Sequence, residues 1–190
     1  MPDLEMMLYE TPDIWTQWLE THHQTSSGIW VMIAKKESGQ VSVTYAEALE
    51  VALCFGWIDG QKQKLDEQFW LQRFTPRRPK SLWSVVNREK VEVLIAQGKM
   101  RAAGQREIDR AKQDGRWDAA YQPQSRMTVP EDFQQALDAD EAARTFFETL
   151  NSANRYAILH RLHTAKKPET RAKRLAQFME MLARGDKLHD

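Results

Sequence analysis

Apolar positions recur along the chain with two different spacings, and the change between them divides it. Up to residue 76 short apolar runs alternate with helical stripes. Leu4 to Tyr9 reads as a short strand. Pro12 opens a helix through His22, with Trp15, Trp18 and Leu19 on one side. Gly28 to Lys36 is β-branched and aromatic, which predicts a buried strand ending at the Ser38-Gly39 turn. Thr44-Tyr45-Ala46-Glu47 has the spacing of a capping box. Tyr45, Ala48, Leu49, Ala52 and Leu53 follow on one helical face, and Gly56 stops the helix. Trp57 to Lys64 and Phe69 to Phe74 flank the polar Leu65-Asp66-Glu67-Gln68 and predict a hairpin, ended by Pro76 and Pro79.

From residue 84 the pattern becomes helical. Ser84 is an N-cap candidate for a helix to Gln97, Gly98 stops it, and Arg101 to Asp114 forms another before Gly115. Residues 115–129 contain Pro123 and show no period, which predicts a linker. Thr128-Val129-Pro130-Glu131 repeats the capping-box pattern. Three helices follow, over 130–149 with a break near Asp138 to Asp140, over 151–164 and over 168–184, the last with Ala172, Leu175, Phe178, Met179 and Leu182 as its stripe. The expected fold class is α+β, a small and mostly antiparallel sheet packed with helices, followed by a helical C-terminal lobe. The body is placed at residues 1–123 and the lobe at 124–190. The pattern leaves open whether they pack as one domain.

With 190 residues the chain has ample surface to bury without a metal or disulfide staple. Its 27 Lys and Arg balance 27 Asp and Glu, which excludes a globally basic nucleic-acid binder and an acidic solvating tail. The balance hides segregation. Residues 1–20 hold five acids and no base, 60–90 eight bases against three acids, 128–150 six acids against Arg144, and 151–174 seven bases against Glu169. These blocks can pair with one another, as Arg171 and Arg174 would with residues 131–141, or remain as patches. The single Cys54 excludes an internal disulfide and fits a reducing compartment. The N-terminus has neither the basic nor the apolar region of a secretory leader, and apolar runs are far shorter than the roughly 20 residues of a membrane span. A cytoplasmic protein without a membrane span is expected.

Candidate chemistry concentrates in residues 57–87. Alternation puts Trp57, Asp59 and Gln61 on one strand face. The facing strand contributes either Trp70, Gln72 and Phe74 or Phe69, Leu71 and Arg73 to that side. With Thr75, Arg77 and Arg78 beyond the hairpin, Trp83 as a stacking wall, and Ser84 and Asn87 at a helix start, these residues form a candidate site for an anionic or polar small molecule. The competing structural reading pairs Asp59 with Arg73 or Arg77 and buries Trp57 and Trp83 in the core. Cys54 sits at a helix C-terminus near Glu47 and Glu50, which disfavours a thiolate. His160 and His163 lack a third ligand at a known spacing, so no metal is assigned, and no cofactor-binding or catalytic motif is present.

The run Gly28-Ile29-Trp30, Ala34-Lys35-Lys36, Ser42-Val43-Thr44-Tyr45, Glu47-Ala48-Leu49, Ala52 to Gln61, Arg73 to Arg78 and Trp83-Ser84 resembles the bacterial YdeI/OmpD-associated family (OmdA, bacteriocin-protection). Ala165-Lys166-Lys167-Pro168-Glu169-Thr170-Arg171 is similar to that family's terminal helical segment. The resemblance implies no particular reaction. It implies a link to resistance against cationic peptides, to an outer-membrane porin and to the periplasm. The missing leader argues against the periplasm and against a direct porin partner.

Three functions remain. The favoured one is non-enzymatic binding of an anionic or polar ligand. The second is an enzyme using Asp59 as acid and base with an arginine clamp. The third, less favoured, is single-stranded nucleic-acid binding through the basic segments. The oligomeric state is not set by the sequence.

Overall fold

The computed structural model describes residues 4–189, which fall into two compact units divided between Ala120 and Tyr121. The first contains, in order, β1 (Met6–Leu8), α1 (Pro12–His22), β2 (Ile29–Ala34), α2 (Tyr45–Cys54), β3 (Trp57–Lys64), β4 (Phe69–Pro76), α3 (Val85–Ala96) and α4 (Ala102–Gln113). The strands form one mixed sheet in the order β1-β2-β4-β3. β1 runs parallel to β2, and the other two pairings are antiparallel. The fold class is α+β, as the alternation of periods predicts. The first expected strand contracts to Met6–Leu8, because only these residues pair, in register with Trp30 to Met32.

One face of the sheet is built from Ile29, Val31 and Ile33 of β2 with their partners Phe74, Gln72 and Trp70 of β4. α1 contributes Trp15 and Leu19 to the core on this face, and α2 contributes Ala48, Leu49, Ala52 and Leu53. Trp15 packs edge-on to Trp57 at 6.5 Å and lies 5.9 Å from Phe74. Burying an indole leaves one N–H to satisfy. Trp15 donates to the Ala48 carbonyl at 3.1 Å, and Trp57 to the His23 carbonyl at 3.1 Å. The first capping box forms: Glu47 N–H donates to Thr44 Oγ1 at 3.2 Å, and Thr44 N–H to Glu47 Oε2 at 2.8 Å. Gly56, at φ +74, carries the chain out of α2 directly into β3.

The second unit holds a short 3-10 turn (Gln124–Arg126) and four helices, α5 (Glu131–Ala139), α6 (Glu141–Thr149), α7 (Ser152–His163) and α8 (Pro168–Ala183). Phe133, Leu137, Ala143, Phe147, Ile158, Leu162, Phe178 and Leu182 form its core. The helix expected over 130–149 breaks at Asp140, whose carboxylate accepts from Ala143 N–H at 3.0 Å and so starts α6. The second capping box does not form. Pro130 occupies the N-cap of α5, without a side-chain cap bond, which leaves Thr128 outside the helix. Of the two arginines expected to dock on the acidic block, Arg171 does so, each of two nitrogens 2.7 Å from an oxygen of Asp132. That contact holds the Asp132 carboxyl below its ordinary pKa. Arg174 instead donates to the Arg161 carbonyl. Asn154 is 1% exposed. Its Oδ1 accepts from the N–H groups of Leu188 and His189, and its Nδ2 donates to the His189 carbonyl at 3.0 Å.

α4 crosses the end of α2 at Gly104. A Cβ there would lie 2.3 Å from the Cys54 carbonyl oxygen, which is backbone and cannot swing aside. Helix propensity alone favours Gly104→Ala by about 1 kcal/mol. The close approach reverses that sign, and the variant is expected to lose about 1–3 kcal/mol by urea denaturation, as in overpacked cores.

Candidate functional site

Strand β3 does not keep its period. Trp57, Ile58 and Asp59 pair with Pro76, Thr75 and Phe74, and Lys62, Gln63 and Lys64 with Gln72, Leu71 and Trp70. Gly60 and Gln61 therefore stand together opposite the single Arg73, which is a β-bulge. The extra residue changes which side chains share a face. Trp57 and Asp59 stay on the side of Phe74, but Lys62 and Lys64 join them in place of Gln61. Gln72, 4% exposed, fastens the bulge from that face. Its side-chain amide donates to the carbonyls of Gly60 (3.0 Å), Gln61 (3.3 Å) and Arg73 (3.2 Å).

The sequence-predicted residues consequently do not converge on one cleft. Trp57 is in the core, 1% exposed. Arg73 pairs with Trp30 and Thr75 with Ile58, and both lie on the opposite sheet face from Asp59. Gln61 is exposed at the bulge. Asp59 meets neither Arg73 nor Arg77; its Oδ2 accepts the Tyr45 hydroxyl at 2.8 Å. Arg77 is buried, with its guanidinium 3.6 Å above the Trp83 ring and Nη1 donating to the Leu82 carbonyl. Trp83 packs on Trp117 at 5.0 Å, and Arg88 lies 5.0 Å over Trp117. This cation–π stack fastens the 77–84 loop, and Trp83 spends its face on Arg77. Arg78 N–H donates to Ser81 Oγ at 2.9 Å, with the Arg78 side chain exposed. Ser84 caps α3 by accepting the N–H of the buried Asn87 at 3.1 Å, so that helix start is satisfied from within.

A different set of residues forms an open groove of about 780 Å3 on the core-facing side of the sheet. α2 begins at Tyr45, so the sheet around Trp70 extends beyond the helix that covers the rest. The groove is lined by Lys35 and Lys36 after β2, by Lys62 and Lys64 of β3, by Trp70 of β4, and by Tyr45 at the start of α2. Lys62 Nζ stands 4.1 Å from the Trp70 ring centroid, and Lys35 Nζ donates to the Asp66 carbonyl at 2.6 Å. Among the described residues no carboxylate comes within salt-bridge reach of Lys36, Lys62 or Lys64. The Tyr45 ring lies 6.2 Å from Trp70 and is braced at its far end by Asp59. Thr44 and Tyr45 place the capped N-terminus of α2 at the edge of the groove. Of the candidates read from sequence, Asp59 alone serves this groove, through Tyr45. The missed signal was Gly60, since a glycine inside a strand pattern marks a bulge.

The other candidate groups have local duties. Cys54 is 6% exposed, and burial pushes its thiol from 9.0 up to about 11. His163 Nε2 lies 3.0 Å from the Thr128 carbonyl, and His160 sits edge-on to Tyr121 at 4.7 Å. Among the described residues no group of three or more His, Cys, Asp or Glu side chains is placed to hold a metal ion. None of their helices is long and apolar enough to cross a membrane.

Two outcomes follow from this geometry. Gln72→Leu strands the bulge carbonyls and is expected to cost about 1–3 kcal/mol in denaturant unfolding. For Cys54, the folded state holds its proton longer than the unfolded chain does. The resulting stability is full below pH 9.0 and is lost as pH rises through about 11. Absorbance of the thiolate should titrate with the higher midpoint in the folded protein, and Cys54→Ala should remove that part of the alkaline loss.

Comparison with known proteins returned no match among curated proteins and none among solved structures. Two family models do match. Residues 126–185 match OmdA, described as bacteriocin-protection, YdeI or OmpD-associated, and take in the Ala165 to Arg171 segment. Residues 7–107, just over half the chain, match a domain of unknown function, DUF8412, and take in the bulge, the groove and the motif run from Gly28 to Ser84. The chain therefore belongs to the DUF8412 family, and its residues 126–185 are similar to OmdA.

Proposed function

We propose that the protein is a non-enzymatic binding protein for a small anionic ligand, held in the groove between Lys35, Lys36, Lys62, Lys64, Tyr45 and Trp70. The observation that carries this reading is the concentration of four ammonium groups in one concave space, three of them without a carboxylate partner among the described residues. Charges left unpaired in a concave site raise the local concentration of the opposite ion and anchor it. The volume lies within the usual range for small-molecule sites, about 300–1,000 Å3.

Binding is favoured over catalysis because Asp59, the acid and base of the enzymatic alternative, is engaged by the Tyr45 hydroxyl and acts as a brace. For nucleic acid, three of the seven bases along residues 151–174 are committed within the fold. Arg171 is committed to Asp132, Arg174 to the Arg161 carbonyl, and Arg155 to the carbonyls of Phe147 and Glu148. The bacteriocin-protection description attached to the OmdA match supports a place in stress defence. A cationic peptide is not the expected ligand of the groove, since its charge repels the lysines.

The test is thermal unfolding at low ionic strength with sulfate, phosphate or citrate, on wild type and on Lys64→Ala. Stabilisation that rises with anion concentration in wild type and falls in the variant is expected. Equal shifts in both proteins would mean that the anions act elsewhere.

A further inference from the structure

Resting on the anion-binding reading of this groove, we infer that its ligand is an oligophosphate, a chain of two or three phosphoryl groups, bound without a divalent cation. Every ionisable side chain lining the groove other than the Tyr45 phenol is a lysine; Asp, Glu and His are missing from the lining. A single monovalent or divalent anion leaves much of that positive charge uncompensated. A chain of three or four negative charges matches it. Lysine suits this task because an ammonium is a compact point charge with three donors, indifferent to the orientation of a phosphoryl oxygen.

The lysines are also partly positioned before any ligand arrives. Lys62 is seated on the Trp70 ring at 4.1 Å, and an ammonium so placed still has N–H donors on its side away from the ring. Lys35 is tethered by one donor to the Asp66 carbonyl, 2.6 Å away, and keeps two others. Lys35 and Lys36, just after β2, leave a strand two places from β3 in the sheet, with Trp70 of β4 between, so an extended anion meets both pairs better than a compact one. The hydroxyls at the groove are already committed. Thr44 Oγ1 serves the α2 cap, Ser42 Oγ binds the Ala34 and Val43 backbone, and Tyr45 donates to Asp59. Recognition therefore falls mainly to charge, with the Gln40 side chain as the remaining neutral polar group of the lining.

The absence of carboxylates from the lining sets the metal dependence. Sites that take a magnesium-bound phosphate chain usually supply one or two carboxylates to the ion. Here the lysines neutralise the chain themselves, so magnesium competes with the protein for the phosphoryl oxygens. Inorganic tripolyphosphate and a nucleoside triphosphate share the chemistry that the groove reads. The Tyr45 and Trp70 rings are the feature that would tell them apart.

The experiment is isothermal titration of the full chain, in buffer containing EDTA, with orthophosphate, pyrophosphate, tripolyphosphate and adenosine triphosphate. It is repeated on Lys62→Ala/Lys64→Ala, with far-ultraviolet circular dichroism to confirm the fold; both lysines are exposed, so the fold is expected to hold. Affinity should rise with each added phosphoryl group, by at least about tenfold from orthophosphate to tripolyphosphate, the worth of one extra charge-assisted hydrogen bond. It should fall by at least about tenfold in the folded double variant and weaken when magnesium is added. Tighter binding of adenosine triphosphate than of tripolyphosphate would assign the rings a part, and equal binding would assign recognition to the chain alone; either agrees with the inference. Equal affinity for orthophosphate and tripolyphosphate would overturn the oligophosphate inference and leave the anion-binding reading standing. Tighter binding with magnesium, or undiminished binding by the double variant, would also overturn the inference. No heat and no thermal stabilisation with any of these anions would remove both.

Discussion

The placement of one extra residue in β3 governs what the first unit can do. A strand of strict period two that buries Trp57 must send Lys62 and Lys64 to the other side of the sheet. With Gly60 and Gln61 opposite Arg73, the same strand buries an indole at one end and offers two ammonium groups on the same face at the other. The buried Gln72 amide makes that arrangement affordable, because it takes up carbonyls that the interrupted ladder leaves over.

The groove itself arises from a mismatch between a helix and the sheet beneath it. α2 covers the Trp57 and Phe74 end and stops at Tyr45, fixed there by the Thr44–Glu47 box. Continued sheet without continued helix makes a concavity. The tyrosine at the first helical position closes the boundary by reaching across to Asp59. Capping chemistry thus sets where the core ends and the polar space begins, and the residues that do so are neighbours in sequence.

Much of the fold was legible because its signals are local. The capping box at Thr44, the stop at Gly56, the hairpin around Asp66 and the break at Asp140 each depend on a few adjacent residues, and each is present. Thr128 shows the limit of the same logic. The pattern is complete there, yet Pro130 takes the cap position and the box is lost. The site was harder to read. Trp, Asp and Arg are dense in residues 57–83, but their partners are set by register and by loop path. Arg73 was separated from Asp59 by the alternation of β4, and Arg77 found the face of Trp83 instead of an open cleft. Lys62 and Lys64 count in the sequence among the eight bases of residues 60–90, but their strand alternation places them on the face opposite Trp57 and Asp59. The glycine that reverses their side was visible, and only its consequence for facing was not.

Asn154 carries a consequence for the order in which the protein is made. Its side chain, buried inside the second unit, is satisfied by backbone groups of Leu188 and His189, which are 34 and 35 positions further along. Domains close as they emerge during synthesis when their contacts lie behind the growing end. The sheet of the first unit is complete at Pro76 and its last helix at Gln113, so that unit has all its partners early. The second unit does not. Until residues 188 and 189 have cleared the ribosome, a buried amide in α7 lacks the partners that offset its desolvation, and the unit stays open to chaperone and protease alike.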